Sequence, residues 1–448
     1  MSQLAKKDLL NWFKLGEKPK ENWKIGTEHE KFIFHENSFN RVGYFGKSGV
    51  SELLNKLAEK NNWEKILENN NTIALKDHTG ASISLEPGGQ LELSGKPLEN
   101  LHQTCKETGL HLKMMKDVMS ELGLSMVGLG YDPKWSQLDQ NWMPKGRYEI
   151  MKNYMPKVGK LGLDMMLRTC TIQVNLDYLS EQDMVQKFQI SLALQSVATA
   201  LFANSPFIEG KSSGYLSSRA MVWTDTDPDR TGVPGIVFDS NFGYESWLDY
   251  ILRVPMYFVY RDGKYIDVSG KSFIDFMHGR LKGFEGEYPT IKDWEDHITV
   301  AFPEVRLKQY LEMRGADGGP WNIICALPAL WVGLLYDGQS QSEAYDLAKP
   351  LMDIGALENG RVSAAKLGLG GKIGETSIEY LATEMLKISS SGLERRNKLD
   401  QKGIDERQFL DPLFHILQNK ETGAEKLLKK FNTTWGKDIN RIFVENSI

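Results

Sequence analysis

The 448-residue sequence contains little cysteine: three scattered residues and no C-x-x-C pair. Three cysteines are too few for a disulfide framework, and the missing pair argues against a structural zinc site. The three are Cys105, Cys170 and Cys325. Because so few cysteines are typical of a reducing compartment, we expect a cytoplasmic protein.

Long apolar runs and an excess of positive charge are also lacking. The most apolar stretch, residues 192–203, is interrupted by polar residues and is too short to cross a bilayer, so we interpret it as a buried helix. Residues 1–7 lead into an amphipathic segment without the apolar core of a signal peptide. The formal net charge of -5 gives no general attraction to nucleic acid. We therefore expect no membrane and no nucleic-acid partner.

A phosphate-binding glycine loop is missing as well. Gly-Lys-Ser occurs from Gly46, Gly210 and Gly270, but a P-loop requires a further glycine five residues earlier. At those positions the chain has Arg41, Ser205 and Tyr265. The glycine-rich run at residues 368–372 follows no convincing strand, which argues against a dinucleotide site. Any phosphate must therefore be bound by individual basic residues.

The helical and strand patterns indicate an α+β fold. Helical periodicity covers about residues 98–122, and Ser180 and Asp183 have the spacing of a capping box at the start of a second helix. The strand-like segments do not alternate regularly with helices, which favours a mainly antiparallel sheet. Since no repeat or linker divides the chain, we expect one domain over residues 1–448, with a helix-rich part from about 345–448.

Four strand-like segments carry polar side chains on one face and apolar side chains on the other. They are residues 25–30, 168–176, 310–314 and 83–93, the last with a turn at 87–89. Acids have poor strand propensity, so their presence on these faces needs a reason. The polar faces include Glu28, Glu30, Glu86, Glu92, Gln173 and Glu312.

If these faces converge, the carboxylates repel one another unless a cation neutralises them. Oxygen ligands without histidine or cysteine favour magnesium or manganese over zinc. The alternative is that each strand has a solvated face on which glutamates discourage edge pairing. Patterning alone leaves both interpretations open.

Several basic residues lie among glycine, proline and aromatic residues, where anion binding is more plausible than in charged helices. They are Lys145, Arg147, Arg219 close to Trp223, and Arg314, which shares a face with Glu312. The planar fork of arginine donates two parallel hydrogen bonds to carboxylate or phosphate. Taken singly, Arg147 or Arg219 is more often a structural or surface residue, whereas Arg314 differs because it also precedes the glycine-rich run 315–319.

Six longer runs identify a family. They are residues 26–31 (GTEHEK), 85–90 (LEPGGQ), 101–105 (LHQTC), 143–148 (MPKGRY), 223–227 (WTDTD) and 313–321 (MRGADGGPW). Together they resemble the plant-type glutamate–cysteine ligases, which also occur in proteobacteria, and the resemblance extends from about residue 12 to 435. It implies a glutamine synthetase-like catalytic fold: a mainly antiparallel curved sheet with ligands on its concave face and helices behind.

The resemblance also implies an activity and a set of site residues. Members couple L-glutamate to L-cysteine through γ-glutamyl phosphate, with ATP as co-substrate and Mg²⁺ (Mn²⁺ as a substitute) as cofactor, in the first step of glutathione biosynthesis. By similarity, the metal ligands would be Glu28, Glu30, Glu86, Glu92, Gln173 and Glu312. Arg147, Arg219 and Trp223 would bind substrate, Lys145 and Arg314 would bind nucleotide, and Arg314 would also act in catalysis.

In plant relatives the cysteines that match Cys105 and Cys325 form a regulatory disulfide. The resemblance therefore implies that these two lie close together and that the protein is a monomer or a redox-linked homodimer, with Cys170 a core thiol. Three other functions remain as alternatives: a ligase of the same superfamily with another amine acceptor, a glycoside hydrolase, or a non-catalytic binding protein on the same fold.

Overall fold

The computed structural model describes residues 3–448; Met1 and Ser2, part of the predicted amphipathic N-terminal segment, lie outside the described residues. The strands are β1 (Ile25–His35), β2 (Glu64–Glu68), β3 (Asn71–Lys76), β4 (Ser82–Leu85), β5 (Leu91–Ser94), β6 (Leu124–Val127), β7 (Thr171–Leu176), β8 (Phe207–Ile208), β9 (Lys211–Ser212), β10 (Thr231–Gly232), β11 (Phe258–Arg261), β12 (Lys264–Asp267), β13 (Phe302–Pro303), β14 (Val305–Leu307), β15 (Leu311–Asp317), β16 (Lys372–Ile373) and β17 (Thr376–Ser377).

Most helices pack on one side of the sheet. The C-terminal part of the chain is mainly helical. They are α1 (Lys6–Lys14), α2 (Val50–Asn61), α3 (Leu101–Glu121), α4 (Gly146–Tyr154), α5 (Gly162–Arg168), α6 (Glu181–Leu201), α7 (Ser218–Val222), α8 (Tyr244–Arg253), α9 (Phe273–Met277), α10 (Ile291–Ile298), α11 (Trp321–Leu335), α12 (Gly338–Ala348), α13 (Ile354–Leu367), α14 (Ile378–Arg396), α15 (Asp411–Asn419), α16 (Gly423–Asn432) and α17 (Arg441–Glu445).

One nine-stranded sheet, in the order β14-β15-β7-β1-β5-β4-β3-β2 with β6 beside β1, forms the centre of the fold. Its strand pairs are antiparallel, as the sequence predicts. Each of the four predicted strand segments lies in this sheet. Their polar faces therefore belong to one continuous surface.

The apolar face of the sheet packs on buried helices. Ile172 and Val174 of β7 and Leu311 and Met313 of β15 are at most 1% exposed and belong to the largest apolar cluster of the protein. Helices α6 and α11 cover these strands. Burying such side chains contributes about 1.5–3 kcal/mol each, so the sheet's orientation is strongly fixed. Its other face is left for polar side chains.

The two predicted helices form with slightly shifted ends. Helix α3 begins at Leu101, after Asn100 caps it through the backbone N–H of Gln103. Helix α6 begins after Ser180, whose side chain accepts a hydrogen bond from the Asp183 backbone N–H, as the capping box predicts. Its apolar second half is buried, which confirms the interpretation of residues 192–203 as a core segment.

No single helix among residues 3–448 combines the length and apolar content needed to cross a membrane. Helix α11 and the segment Gly338–Leu351 meet that test only as a pair, and they are bent by 94° where they join.

Candidate active site

A cavity of about 300 Å³ opens on the polar face of the sheet. Residues from β1, β4, β5, β7, β15 and the segments around α4 and α7 contribute its walls. Five of the six predicted metal-ligand side chains and all five predicted basic or aromatic site residues line it: Glu28, Glu30, Glu86, Glu92, Gln173, Lys145, Arg147, Arg219, Trp223 and Arg314. Sequence positions nearly 300 residues apart thus meet in one site.

The strand register places like charges directly opposite each other. Glu30 on β1 is the cross-strand partner of Glu92 on β5, and Glu28 is the partner of Gln173 on β7. Like charges in facing positions destabilise a sheet. Since Glu30 is only 9% exposed, water cannot screen this repulsion well. This arrangement costs stability, which favours a functional reason for the acids over the solvated-face alternative.

The glutamates are held in a state that resists ionisation. Burial and the neighbouring Glu86 raise the pKa of Glu30 to about 8. Burial also raises the pKa of Glu86, against the opposing charge of Lys145. The pKa of Glu92 lies well above its usual range because of burial and the nearby Glu86, Glu28 and Glu30. A cation placed next to such carboxyls would favour their ionised form.

The acids have few partners that would neutralise them. Glu28 Oε1 accepts a hydrogen bond from Asn175 Nδ2 at 2.7 Å, and Glu92 Oε2 accepts one from the Ser84 hydroxyl at 2.9 Å. Glu30 Oε2 accepts from the backbone N–H of Thr171 at 2.9 Å. All three donors are neutral. Negative charge on this acid wall, formed by Glu28, Glu30, Glu86 and Glu92, is therefore compensated only by basic residues across the cavity.

The donor chemistry fits a hard divalent cation, since carboxylate and amide oxygens are the ligands that magnesium and manganese prefer. The geometry, however, differs from the expected tight convergence of four or five carboxylates. Among residues 3–448, no group of three or more His, Cys, Asp or Glu side chains is arranged closely enough to hold a metal ion. The glutamates would therefore have to rotate toward a shared ion.

Glu312 differs from the other predicted metal ligands. It is fully buried, is absent from the cavity lining, and accepts charge-assisted hydrogen bonds from Arg306, Lys308 and Arg314. Burial alone would raise its pKa, but these three cations hold the pKa well below its usual range. The structure therefore shows Glu312 as the counter-ion of a basic cluster and does not bring it to the acid wall.

A β-bulge directs Arg314 into the cavity. The pairing of β15 with β7 shifts register between Met313 and Ala316, which is where Gly315 follows Arg314. A Cβ at Gly315 would approach the Gln195 side-chain amide to 2.4 Å, so a larger residue there would require Gln195 to move. Arg314 Nη1 donates to Gln173 Oε1 and to Glu312 Oε2, each at 2.8 Å.

Opposite the acids, three buried donors of the cavity lining have no hydrogen-bond partner within the described residues. They are Arg147 Nε, Arg219 Nε and Trp223 Nε1. An unsatisfied buried donor costs about 1–3 kcal/mol, which is typical of positions that a ligand completes. Arg219 also donates to the Arg314 carbonyl oxygen at 2.6 Å, and burial lowers its pKa. This wall is suited to an anionic ligand.

Lys145 lies near both Glu86 and Arg147, whose charges act on its ammonium group. Its Nζ donates to the Leu85 carbonyl oxygen at 2.7 Å and to the Tyr148 hydroxyl at 3.2 Å. Burial lowers the pKa of Lys145 to about 8, against the attraction of Glu86. An added phosphate would strengthen its charged form.

Among the cavity residues that sequence reasoning missed, three are polar or aromatic side chains next to the predicted ones. Arg306 on β14 faces Glu312 across the sheet, and Tyr148 and Phe302 complete the lining. The alternation Val305–Arg306–Leu307–Lys308 carried a signal for the basic strand face, and Tyr148 belongs to a run already noted. Phe302 lies on a two-residue strand with no pattern that could have indicated it.

The cysteines lie away from this cavity. Cys105 on α3 and Cys325 on α11 are buried free thiols, and they lie close enough for Cys325 to affect the pKa of Cys105. Burial and this contact raise the pKa of Cys105 well above its usual range. Their proximity agrees with the expectation, while the disulfide itself stays a prediction. Cys170 is fully buried in an apolar cluster with Phe32.

The fold and the acid- and arginine-lined cavity define a ligase-like catalytic architecture. The crystal structure of a glutamate–cysteine ligase from Francisella tularensis in complex with AMP is similar, with a TM-score of 0.52 and 13% identity, covering 95% of this chain and 88% of that one. This likeness confirms the predicted α+β, glutamine synthetase-like catalytic fold. The chain belongs to the glutamate-cysteine ligase family 2 (GCS2), whose family model matches residues 24–445.

Named plant proteins share about half of its residues. Glutamate–cysteine ligase B of Oryza sativa subsp. japonica is 53% identical over 442 residues, 99% of this chain and 87% of the rice protein. The ligases of Nicotiana tabacum and Arabidopsis thaliana are 52% and 51% identical, again over 99% of this chain and 83% of each relative. The family resemblance stated from the sequence is confirmed.

The same relatives contradict one expectation. All three are named chloroplastic proteins, which points to a plastid rather than the expected cytoplasm. The expectation relied on cysteine content and on the first residues, and both are poor guides. Few cysteines indicate a reducing environment, which is not unique to the cytoplasm.

Proposed function

We propose that this enzyme ligates L-glutamate to L-cysteine with ATP, producing γ-glutamylcysteine, ADP and phosphate, the first step of glutathione synthesis. The observation that carries the proposal is the family match over residues 24–445, which includes every residue lining the cavity. The AMP bound to the Francisella ligase supports ATP as co-substrate.

The reaction must first activate the side-chain carboxylate of glutamate, because a carboxylate is a poor acyl donor. Transfer of the ATP γ-phosphoryl group to it breaks the bond to ADP and forms γ-glutamyl phosphate. The cysteine amine then attacks the acyl carbon, phosphate leaves with the bonding electron pair, and the amine loses its proton. Catalysis here depends mainly on positioning and on stabilisation of charge.

The acid wall would hold Mg²⁺, or Mn²⁺ in its place, through Glu28, Glu30, Glu86 and Glu92, with Gln173 at its border. A bound divalent cation would neutralise phosphate charge and polarise the phosphoryl oxygens. The raised pKa of Glu30 and Glu92 supports this role, because burial and neighbouring glutamates outweigh the attraction of Arg219 and Arg314 at Glu30, and only the neutral Ser84 hydroxyl opposes them at Glu92. Their side chains would rotate toward the ion.

The basic wall would bind the anionic groups of the substrates. Arg314, reaching into the cavity, would stabilise charge on the transferring phosphoryl group, while Glu312 holds the guanidinium in place. Lys145 would bind a phosphate of the nucleotide. Arg147 and Arg219, with free Nε donors, would bind substrate carboxylate, and Trp223 would border the amino acid.

We propose further that residues 1–448 form one catalytic domain that works without nucleic acid or membrane, as a monomer or a redox-linked homodimer. The largest apolar cluster supports a single domain, because it joins Leu9 of α1 to Ile416 of α15 through the helices behind the sheet. Analytical ultracentrifugation with and without reductant would test the oligomeric state.

The deciding experiment measures ADP release with ATP, Mg²⁺ and L-glutamate, with and without L-cysteine, and detects γ-glutamylcysteine by mass. Strong stimulation by cysteine, together with formation of the dipeptide, is the expected result. Glutamate-dependent ADP release that cysteine does not stimulate would contradict L-cysteine as the amine acceptor. It would favour a related ligase that uses another amine. Chelation with EDTA should stop the reaction, and either Mg²⁺ or Mn²⁺ should restore it.

A further inference from the structure

Arg361 on α13 is a buried arginine that does not line the cavity. It is only 8% exposed and divides its guanidinium among three acceptors from separate segments. Nε donates to Glu304 Oε1 at 2.9 Å, Nη1 to Glu358 Oε2 at 2.6 Å, and Nη2 to the carbonyl oxygen of Trp223 at 3.3 Å. The family motifs noted in the sequence include Trp223 but neither Arg361 nor its two carboxylate partners.

Two of these acceptors belong to the cavity wall opposite the glutamates. The rings of Trp223 and Phe302 lie 6.0 Å apart at 60°, and both line the cavity. Glu304 follows Phe302 by two residues and borders a small extension of the cavity. Its carbonyl oxygen accepts a hydrogen bond from the Arg314 backbone N–H at 3.2 Å. Arg361 thus contacts the two segments that carry Trp223 and Phe302, from the side away from the cavity.

The third acceptor, Glu358, connects the same cavity wall to the end of strand β10. Glu358 Oε1 accepts a hydrogen bond from the Val233 backbone N–H at 3.0 Å. Strand β10 pairs in parallel with β13, with Thr231 opposite Phe302. Gly232 has a φ of +87°, and a Cβ there would lie 3.1 Å from Glu358 Oε1, so glycine allows this approach. The Phe302 segment is therefore held from two sides.

We infer that Arg361 is a positioning residue that fixes the Trp223–Phe302 wall and thereby controls how tightly the amino-acid substrates are bound. This inference rests on the proposed function, which places an amino acid against Trp223. The rigid fork of arginine suits the task because one side chain on α13 holds two other segments, at Trp223 and Glu304, with few rotamers lost, while Glu358 on the same helix helps to orient it. Small displacements of such a wall can change binding and rate by orders of magnitude.

The test compares Arg361→Met and Arg361→Lys with the wild type in steady-state kinetics. For Arg361→Met, we expect the KM for L-glutamate or L-cysteine to rise about tenfold, with kcat within about threefold. The KM for ATP should stay within about twofold, because Arg314 keeps its side-chain bonds to Glu312 and Gln173. Arg361→Lys keeps the charge but not the planar fork. Its KM for the same amino acid should therefore lie between the values of the wild type and Arg361→Met.

Arg407 offers a matched control. It also forks between two carboxylates, Asp405 and Glu394, but lies at the surface, with its side chain 40% exposed. Arg407→Met should leave every KM unchanged. Unchanged amino-acid KM values in Arg361→Met, or an equal rise in the KM for ATP, would overturn the inference.

A readout independent of turnover separates this inference from the proposed function. Subtracting the fluorescence of Trp223→Phe from that of the protein isolates Trp223, and acrylamide quenching then reports its mobility. The same difference, taken between Arg361→Met and the double variant that also carries Trp223→Phe, should show acrylamide quenching of Trp223 increased about twofold or more. If the wild type forms no γ-glutamylcysteine, the proposed function fails, while unchanged quenching would still refute the positioning role on its own.

Discussion

Two groups of glutamates on the same face of the sheet have opposite surroundings. Glu30 and Glu92 face each other on β1 and β5, with neutral hydrogen-bond donors and a raised pKa. Glu312 on β15 is enclosed by three cations that hold its pKa well below its usual range. No cation donates a hydrogen bond to either glutamate of the first group, whereas three cations contact Glu312 directly.

This difference separates a binding wall from a supporting one. A buried carboxylate that is fully paired gains little from a further cation, since its charge is already compensated. An uncompensated pair of carboxylates gains a great deal, because a cation removes both the repulsion and the cost of burial. We therefore expect the two groups to respond in opposite ways to the loss of a charge.

The largest expected effect is on activity at the acid wall. Glu30→Gln keeps the shape of the side chain but removes a carboxylate that would bind the metal, so the ligation rate should fall about 10³-fold or more. Folding should be maintained or improved, because a buried repulsion is removed. Initial rates and thermal unfolding of the variant measure both.

Glu64→Gln is the control, because Glu64 is an exposed glutamate on β2 of the same sheet. It should keep wild-type activity. A Glu30→Gln enzyme with activity within tenfold of the wild type would show that the acid wall does not bind a catalytic cation.

At Glu312 the main loss should be in stability. Glu312→Gln leaves Arg306, Lys308 and Arg314 without their shared counter-ion, and breaking a buried pair in this way costs about 3–5 kcal/mol of unfolding free energy. Urea unfolding measures the change. Activity should fall too, because Arg314 loses a group that orients it.

The matched change Glu99→Gln removes a surface pair with Lys24, where the Glu99 side chain is 66% exposed. It should leave stability unchanged within error. If Glu312→Gln proved as stable as Glu99→Gln, the basic cluster would not depend on Glu312, and a role in metal binding would regain support.

The sequence was sufficient to predict the strands that carry both groups. Alternation of apolar and polar residues located the β1, β5, β7 and β15 segments, and the apolar faces do pack on helices. The same alternation could not separate Glu312 from Glu92, because both are acids between apolar neighbours on a strand. What separates them is pairing: β14 brings Arg306 opposite Glu312. Register across strands is not encoded in local periodicity.

The rest of the cavity was predictable only where residues belonged to a recognisable run. Arg147 and Trp223 belong to the family motifs, Arg219 lies four residues before Trp223, and all three line the cavity. Phe302 and Arg361 have no local signal, since their positions depend on a two-residue strand and on a helix more than a hundred residues from Trp223. Tertiary contacts of this kind follow from packing and not from spacing.

The interior away from the cavity should respond to pH through a neutral histidine. His297 Nε2 donates to the Ile251 carbonyl oxygen at 3.0 Å, and the ring stacks on Phe273 at 4.4 Å. Burial lowers the pKa of His297 from its usual value near 6.5 to about 4. The unfolded chain therefore binds a proton that the folded protein rejects, and stability should fall as pH drops from about 6.5 to 4, by about 3 kcal/mol.

His297→Gln keeps a donor for the carbonyl but does not titrate in this range. The difference in unfolding free energy between wild type and variant, measured by urea unfolding at several pH values, should favour the wild type least near pH 4. A constant difference between pH 7 and pH 4 would contradict the shifted pKa. That outcome would also weaken the contrast between a protein interior that contains no unpaired charge and a cavity that contains unpaired charge.

The smallest expected effect lies in the neutral support of the acid wall. Ser84 Oγ donates to Glu92 Oε2 at 2.9 Å, and Ser82, two residues earlier on the same strand face, is opposite Ser94 and not an acid. Removing a hydrogen bond that orients a metal ligand typically weakens metal affinity about tenfold. Ser84→Ala should therefore raise the Mg²⁺ concentration for half-maximal rate by about that factor, with kcat nearly unchanged, whereas Ser82→Ala should not. Equal Mg²⁺ requirements in both variants would mean that Glu92 does not bind the ion, and the wall would then consist of Glu28, Glu30 and Glu86 alone.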